Sequence, residues 1–317
     1  MTRARLTKLI MFCLGLAIAL WWGERALMSP SAYAQAEEPA VVRSLSLAEL
    51  PTLGIASEMP ALIPPSLRQS NHPQNRRGII DGDERVEMLS RSYPWSAIGL
   101  IISYSDSDSA QSCSGTLVAT DVVLTNAHCV LDYETGEVYP SIVFAPNVIN
   151  GTVVSTDDIT EVDSVFYGPA FAEDPRAPHP DDWAFMKLKQ PLGDRYGTLP
   201  WQIIPPERLV NDYEGEINLV GYSGDFPEDN PGKTAGVHLG CSVIDQYEDS
   251  LAHDCDTFGG SSGGPLLVWI DDQPYIVGVN SAEWVRPVDD SDSPEWIGVV
   301  NFGVQIPRIA DFLETYL

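Results

Sequence analysis

Positively charged residues are scarce in this sequence relative to negatively charged ones. Its 18 lysines and arginines stand against 45 aspartates and glutamates, which gives a formal net charge of −27 at pH 7. Because such a surface repels phosphate backbones, we expect no nucleic-acid partner. The same excess of one sign keeps a protein soluble. With 44% hydrophobic residues the chain can still build a substantial core, which argues against wholesale disorder.

Motifs that hold cofactors or metal ions are missing as well. The sequence contains no phosphate loop, no dinucleotide fingerprint and no His-Glu-x-x-His motif. His72 lies in the proline-rich stretch before the domain, and His179, His238 and His253 show no zinc-type spacing, so we interpret these three as surface or core residues. The acidic run from Asp289 to Asp292 does not follow the EF-hand spacing. We therefore predict neither a cofactor nor a metal site.

A hydrophobic run long enough for a comfortable membrane span is also absent from the sequence. The apolar stretch from Leu9 to Trp22 has 14 residues, whereas a span needs ~20. Basic residues precede it and Ala32-Tyr33-Ala34 follows, a pattern typical of a cleaved export signal. We predict that residues 1–34 are a signal peptide and that the protein is secreted or periplasmic, with no stable span after cleavage. The alternative is an uncleaved anchor, because residues 23–34 are long for the region before a cleavage site.

Residues 35–78 are rich in proline and poor in strand-like alternation. Six prolines fall there: Pro39, Pro51, Pro60, Pro64, Pro65 and Pro73. We interpret this stretch as a propeptide or linker. It ends at Arg76-Arg77-Gly78, a basic site open to a trypsin-like activating protease. The alternative is an ordered arm wrapped on the domain that follows.

Cysteines are few, and their number is informative. Cys13 lies in the predicted signal and leaves with it, so four remain: Cys113, Cys129, Cys241 and Cys255. An even number in an exported chain predicts two disulfides, for which three pairings exist. We favour Cys113–Cys129 and Cys241–Cys255, because each of these bonds closes a short loop within one half of the chain.

From Ile79 onward, short apolar or β-branched runs alternate with turn residues. Regular short strands of this kind predict an all-β barrel or sandwich. Only the end of the chain has helical spacing, in Ile309, Phe312, Leu313 and Leu317, which predicts a short C-terminal helix. We therefore expect one β-rich domain over residues 79–317.

Two segments carry groups suited to proton transfer. His128 follows the apolar run 122–124, and a histidine there can take a proton from a nucleophile and return it to a leaving amine. Asp182 directly precedes the apolar run 183–188, where a carboxylate can orient the histidine and stabilise its cation. We choose Asp182 over Asp181, which we expect to be a solvated neighbour.

A third segment carries a candidate nucleophile. Ser262 is surrounded by Gly259, Gly260, Gly263 and Gly264, and glycines permit the tight turn that exposes a hydroxyl. The amides of Gly260 and Ser262 are candidates for an oxyanion hole. Because the apolar run 265–268 follows at once, the segment is not a flexible linker.

Together these segments resemble the signature blocks of chymotrypsin-fold serine proteases. Their order, histidine then aspartate then serine with separations of 54 and 80 residues, is typical of that family. The resemblance covers about residues 79–317. Within the family, the runs from Asp81 to Val86 and from Tyr93 to Ile98 are similar to the bacterial glutamyl-endopeptidase-like branch.

The resemblance implies two antiparallel six-stranded β-barrels, at residues 79–200 and 201–317, with the triad in the cleft between them. It implies a secreted serine endopeptidase that cleaves protein or peptide substrates through an acyl-enzyme and needs no cofactor; we expect a monomer. It also implies that Ser281 lies near the aspartate and that residues 281–283 pair with the substrate backbone as an added strand.

The sequence departs from the family pattern near the specificity pocket. Ser261 stands where classical zymogens have the aspartate that pairs with the new N-terminus, and Asn280 stands where glutamyl enzymes have a histidine. Thr257 is retained, Asp256 aligns with the acid that binds basic side chains in trypsin, and Glu283 adds negative charge. The candidate substrate-binding residues are therefore Asp256, Thr257, Asn280, Ser281 and Glu283. The preference at P1, the residue before the scissile bond, stays open between acidic and basic side chains, with repulsion disfavouring an acidic one.

Two other functions remain possible from sequence alone. One is a non-catalytic homologue used for binding, although such proteins usually lose a triad member. The other is the same protease held at a membrane by residues 9–22.

Overall fold

A computed structural model describes residues 77–105, 109–132, 135–287 and 296–310, together with the short strands at 40–41 and 54–55. The described residues all lie in one compact unit, Pro39–Leu317. The predicted signal peptide and most of the predicted propeptide lie outside the described residues, as do Phe312, Leu313 and Leu317 of the predicted C-terminal helix.

Strands dominate the described chain, as the alternating pattern predicted. They are β1 Ala40–Val41, β2 Gly54–Ile55, β3 Arg85–Glu87, β4 Ile98–Tyr104, β5 Ala110–Ala119, β6 Val122–Thr125, β7 Ser141–Pro146, β8 Thr152–Val153, β9 Thr160–Tyr167, β10 Ala184–Leu188, β11 Ile217–Gly221, β12 Gly236–Cys241, β13 Val243–Tyr247, β14 Ser250–His253, β15 Pro265–Ile270, β16 Gln273–Pro287 and β17 Trp296–Gln305. The α-helices are short: α1 Pro169–Glu173, α2 Gly193–Tyr196 and α3 Pro206–Asp212. Single 3₁₀ turns cover Trp95–Ala97, Ala127–Cys129, Thr156–Asp158 and Ile306–Arg308.

The first sheet closes into a six-stranded antiparallel barrel. Its order is β9-β10-β6-β5-β4-β7, and a further pairing of β7 with β9 completes the ring. The β-branched run of β6 suits a buried strand, and all four of its residues are buried. Large side chains that fill the core here include Leu117, Phe144 and Phe185, each at most 1% exposed.

The second sheet has eight antiparallel strands in the order β13-β14-β17-β16-β15-β11-β12-β3. No pairing among the described residues joins its two edge strands, so the structure shows one closed barrel where the family resemblance implied two. Strand β3 lies early in the chain, within residues 79–200, yet it pairs with β12 of this sheet. The second sheet thus includes a strand from before residue 200, whereas all six strands of the first barrel lie within residues 79–200.

Two strands fall within the predicted propeptide. The backbone of β1 pairs antiparallel with β9, and that of β2 pairs parallel with β8.

No helix among the described residues has the length and apolar character to cross a bilayer.

The disulfides join Cys113 to Cys129 and Cys241 to Cys255, which is the predicted pairing. The first connects β5 to the turn that follows β6, and the second connects β12 to the segment after β14. Each closes a loop of 14 or 16 residues. Loops of this size contribute about 3 kcal/mol each by restricting the unfolded chain.

Candidate active site

The register of two barrel strands places His128 beside Asp182. Strands β6 and β10 are antiparallel, and Thr125 at the end of β6 lies opposite Ala184 at the start of β10. The residues just beyond these ends therefore meet at one edge of the barrel. His128 occupies the single 3₁₀ turn after β6, where the disulfide of the adjacent Cys129 fixes the backbone.

Three hydrogen bonds hold the carboxylate of Asp182. His128 Nδ1 lies 2.7 Å from Oδ2, the backbone N–H of His128 donates to Oδ1 at 3.0 Å, and the Ser281 hydroxyl donates to Oδ2 at 2.6 Å. Asp182 is 3% exposed. Burial by itself raises the pKa of Asp182, but the His128 imidazole and these hydrogen bonds outweigh it and hold the pKa below its usual value. The aspartate is therefore a buried anion that orients the imidazole.

Asp181 is not the solvated neighbour that we expected. It is buried, and Arg308 donates to its Oδ1 at 2.7 Å. Arg308 lies in the 3₁₀ turn that follows the last strand of the second sheet. This ion pair ties that turn to the loop before β10, and the sequence carried no sign of it because the partners are 127 residues apart.

Ser262 lies on a tight turn between Phe258 and β15. Gly260 and Gly263, on either side of it, have φ values of +102° and +82°, which residues with a side chain rarely adopt. A Cβ at Gly263 would also lie 2.1 Å from the carbonyl oxygen of Ser114. These positions therefore require glycine, as the sequence pattern predicted.

Ser114 of β5 fastens this turn to the barrel, a role that sequence reasoning missed. Its backbone N–H donates to the carbonyl of Ser262 at 2.7 Å, and its hydroxyl donates to the carbonyl of Gly260 at 2.9 Å. The backbone N–H groups of Gly260 and Ser262 donate to no group among the described residues. They are left available to an acceptor in the cleft.

A cleft of about 260 Å³ brings these groups together. His128, Asp182 and Ser262 all line it, as do Ser281 and Glu283. The Ser262 hydroxyl lies 3.5 Å from the backbone carbonyl of Ser281. Three side chains that are far apart in the sequence therefore face one concave space.

Thr257, Ser261 and Asn280 form a buried polar cluster below the turn. The amide of Asn280 donates to Thr257 Oγ1 at 2.9 Å and to Ser261 Oγ at 3.1 Å, and the two hydroxyls are hydrogen-bonded to each other. All three residues line the cleft and are at most 4% exposed. Ser261 therefore helps to hold the turn, at the position where classical zymogens have an aspartate.

Asp256, a predicted substrate-binding residue, is not among the described residues that line this cleft. It is 1% exposed, and its carboxylate accepts the backbone N–H groups of Ile80 at 2.9 Å and Glu84 at 2.8 Å. Its own N–H donates to Nδ1 of buried His238 at 2.8 Å. Asp256 thus anchors the segment that follows the predicted activation site.

Glu283 does line the cleft, and it has a partner that sequence reasoning did not anticipate. Arg77 Nε donates to its Oε1 at 2.9 Å, and Arg77 lines the same cleft. Burial raises the pKa of Glu283, and the charge of Arg77 opposes that rise. The sequence singled out Arg77 as part of the predicted basic cleavage site, but it did not indicate the pairing with Glu283.

Two groups of potential metal ligands occur among the described residues, one around Cys113, His128 and Cys129 and the other around Cys241, Asp254 and Cys255. In both groups the sulfur atoms are joined as disulfides. Neither group therefore offers the thiolates that a metal ion would require.

Comparison with known proteins assigns this arrangement to a family. Residues 113–279, just over half of the chain, match the family model of the trypsin-like peptidase domain. The chain is 25% identical over 200 residues to glutamyl endopeptidase of Bacillus licheniformis, covering 62% of this chain and 56% of the relative. It is also 25% identical over 253 residues to serine protease 23 of Homo sapiens, covering 71% of this chain and 61% of that protein. The chain thus spans less than two thirds of the length of these relatives.

Solved structures show the same fold. A Glu endopeptidase in complex with MPD matches with a TM-score of 0.58 at 22% identity, over 75% of this chain and 100% of the other. The thermostable serine protease AL20 from an extremophilic microorganism matches with a TM-score of 0.52 at 20% identity, over 70% of this chain and 99% of the other. At these identities the likeness concerns the fold alone.

Proposed function

Because this chain belongs to the trypsin-like peptidase domain family, we propose that it is a serine endopeptidase in which Ser262 is the nucleophile, His128 the general base and Asp182 the residue that orients it. The observation that carries this proposal is the 2.7 Å contact between His128 Nδ1 and buried Asp182 in a cleft that Ser262 also lines. A carboxylate on Nδ1 fixes the tautomer whose Nε2 accepts a proton.

The reaction forms an acyl-enzyme. Ser262 Oγ attacks the carbonyl carbon of the scissile peptide bond as its proton passes to His128 Nε2. The C–N bond then breaks, and the proton moves from Nε2 to the departing amine, leaving an ester on Ser262. A water molecule, deprotonated by His128, attacks this ester, releases the new carboxyl terminus and restores the serine hydroxyl.

The amides of Gly260 and Ser262 stabilise the charge that develops on the substrate oxygen. Both are free of protein acceptors among the described residues, and the positive φ of Gly260 belongs to the turn that carries them. One such donor is worth about 3 kcal/mol in the transition state. Ser281 joins the site as a positioning residue, since its hydroxyl holds Asp182 and its segment is the strand edge expected to pair with substrate.

Three broader predictions accompany this function. The second sheet is the counterpart of a second barrel, with the cleft between the two sheets. The protein is exported as a monomer, with residues 1–34 removed and residues 35–78 acting as a propeptide. Its substrates are proteins or peptides, as for the endopeptidases it resembles.

The test is active-site labelling together with turnover. A fluorophosphonate probe should modify wild-type protein at Ser262, located by mass spectrometry, and Ser262→Ala should abolish both labelling and casein cleavage while the fold is retained. Ser242→Ala is the matched control, because Ser242 is also half-buried but its hydroxyl accepts from Gly215 outside the cleft lining.

Cleavage of casein by Ser262→Ala at the wild-type rate would remove Ser262 from the mechanism. A folded wild-type protein that neither reacts with the probe nor cleaves any substrate would instead favour the non-catalytic, binding function.

A further inference from the structure

A basic side chain of the chain itself occupies the cleft. Arg77 lines the cleft together with Ser262, His128 and Glu283, although it precedes every strand of the barrel and of the second sheet from β3 onward in the sequence. Its side chain is half-exposed, and its Nε bonds Glu283. The cleft therefore already holds one guanidinium, and the group that receives it is a carboxylate.

Glu283 retains unused capacity to accept hydrogen bonds. Its Oε1 receives Arg77, whereas Oε2 is buried and has no hydrogen-bond partner among the described residues. A buried carboxylate oxygen without a donor is costly, and a second N–H group would relieve that cost. Planar cations with several N–H groups, such as guanidinium and amidinium, match a carboxylate in this way.

The other acids near the cleft are already committed. Asp182 is bonded to His128 and Ser281, and Asp256 is bonded to the backbone of Ile80 and Glu84. Among the described lining residues, Glu283 is therefore the carboxylate left for a substrate. A strand-paired substrate along residues 281–283 runs directly past it.

Nothing in the described lining favours an acidic side chain except Arg77 itself. Asn280, where glutamyl enzymes have a histidine, is neutral, and its amide is held by Thr257 and Ser261. Arg77 is paired with Glu283 and belongs to the predicted cleavage site rather than to the strands of the cleft.

Building on the proposed function, we propose that Glu283 is a specificity-determining residue, that it selects substrates with an arginine or lysine side chain at P1, and that Arg77 occupies its place in the uncleaved chain. A substrate cation must then displace Arg77, or Arg77 must be removed with the segment before Gly78. Arg77 acts as a competitor inside the same molecule.

The experiment measures binding of the aryl amidine p-aminobenzamidine by its fluorescence in the full chain near neutral pH. Glu283→Gln should weaken binding by about tenfold or more, the value of one charge-assisted hydrogen bond. Glu283→Asp should restore part of the affinity because it keeps the carboxylate. Arg77→Ala should tighten binding because the internal competitor is gone.

Matched controls separate these effects from a change in net charge. Glu161→Gln removes an acid of nearly the same exposure, 19% against 18%, that pairs with Lys189 outside the cleft lining. Arg208→Ala removes a half-exposed arginine that pairs with Asp212 on α3. Both controls should leave amidine affinity unchanged.

Peptide substrates that differ only at P1 provide the second readout. Glu283→Gln should lower the ratio of kcat/KM for Arg over Glu substrates by about tenfold or more. Equal amidine affinity and an equal ratio in folded wild type and Glu283→Gln would overturn the inference. Selective loss of Glu-substrate cleavage in Arg77→Ala would overturn it too, because Arg77 would then be the substrate-binding group.

Fluorophosphonate labelling keeps this inference separate from the proposed function. If Ser262 is labelled in every variant while Glu283→Gln changes nothing, specificity is misassigned and the catalytic proposal stands. If no protein is labelled but amidine binding follows Glu283, the catalytic proposal fails while a cation site at Glu283 stands, without a role in substrate selection.

Discussion

The barrel and the second sheet bury different kinds of side chain. No strand of the barrel, β4 to β7, β9 and β10, buries an acidic, basic or histidine residue among its described positions. The second sheet buries three: Arg85 in β3, His238 in β12 and His253 in β14. The barrel strands thus bury apolar and uncharged hydroxyl side chains, whereas the second sheet also contains buried ionisable groups that need partners.

This difference divides the site in two. The closed barrel fixes His128 and Asp182 through the register of two buried strands, so their geometry depends on apolar packing. The second sheet carries Ser262, Asn280 and Glu283 on a framework of buried polar bonds, and it anchors the start of the domain through Asp256. Substitutions in the two regions should therefore change different properties.

The largest expected effect comes from the pair at the barrel edge. Asp182→Asn should reduce kcat by about 10⁴-fold, because the amide no longer selects the imidazole tautomer that accepts a proton. Progress curves with a peptide substrate measure this directly. Asp181→Asn is the control, since Asp181 bonds Arg308 rather than His128 and should leave kcat near wild type. Equal losses in both variants would contradict the separate roles of the two acids.

The next effect concerns the stability of the second sheet in acid. Burial lowers the pKa of His253 to about 4, outweighing the nearby Phe302 backbone and Asn280 side chain. At pH values between about 4 and the unfolded pKa of 6.5, His253 binds a proton in the unfolded state but not in the folded state. The free energy of unfolding should therefore fall by about 3 kcal/mol as pH drops from 6.5 to 4.

Urea unfolding of wild type and His253→Gln across this pH range tests that prediction. The variant should be less stable overall because it disturbs a packed site, but its stability should depend less on pH. An identical dependence of unfolding free energy on pH in the two proteins would show that His253 does not cause the loss.

Asp182 affects stability at lower pH. Because its pKa is depressed, the stability that it contributes is lost only as pH falls below the usual aspartate value of 3.8.

The smallest effect should follow from Asp256→Asn. In this variant the NH₂ group of the new side-chain amide faces the backbone N–H of Ile80 or Glu84, so two donors meet without an acceptor. This should lower the free energy of unfolding by about 1–3 kcal/mol. The ratio of kcat/KM for Arg over Glu substrates should stay at the wild-type value, because Asp256 does not line the cleft. A drop in that ratio without a loss of stability would restore the trypsin-like role for Asp256.

Much of the site followed from local sequence patterns. Asp182 rather than Asp181 contacts His128, because it lies just before β10, whose partner β6 leads into the turn that carries His128. Cysteine spacing gave both disulfides, and glycines marked the turn at Ser262. The roles assigned to His128, Asp182 and Ser262 stay predictions until the variants are measured.

Local sequence patterns did not indicate which way the side chains of other candidate residues face. Asp256 lies in a segment without regular structure, so no periodicity indicates which way its side chain faces. Along β16 the register shifts between Asn280 and Ala282, and such a bulge breaks the alternation that assigns residues to faces. The sequence therefore named Ser281 and Glu283 as candidates but did not determine that one meets Asp182 and the other Arg77.

By itself, the sequence determined the β-rich class, favoured the disulfide pairing that the structure has, and singled out the three segments for which we propose the nucleophile, base and carboxylate, because turns, short loops and strand-end positions are local properties. Only the tertiary structure decided that Asp256 binds the start of the domain while Glu283 faces the cleft with Arg77. Those outcomes depend on contacts between residues about 170 to 210 positions apart. Contacts over such distances form only when the whole domain packs.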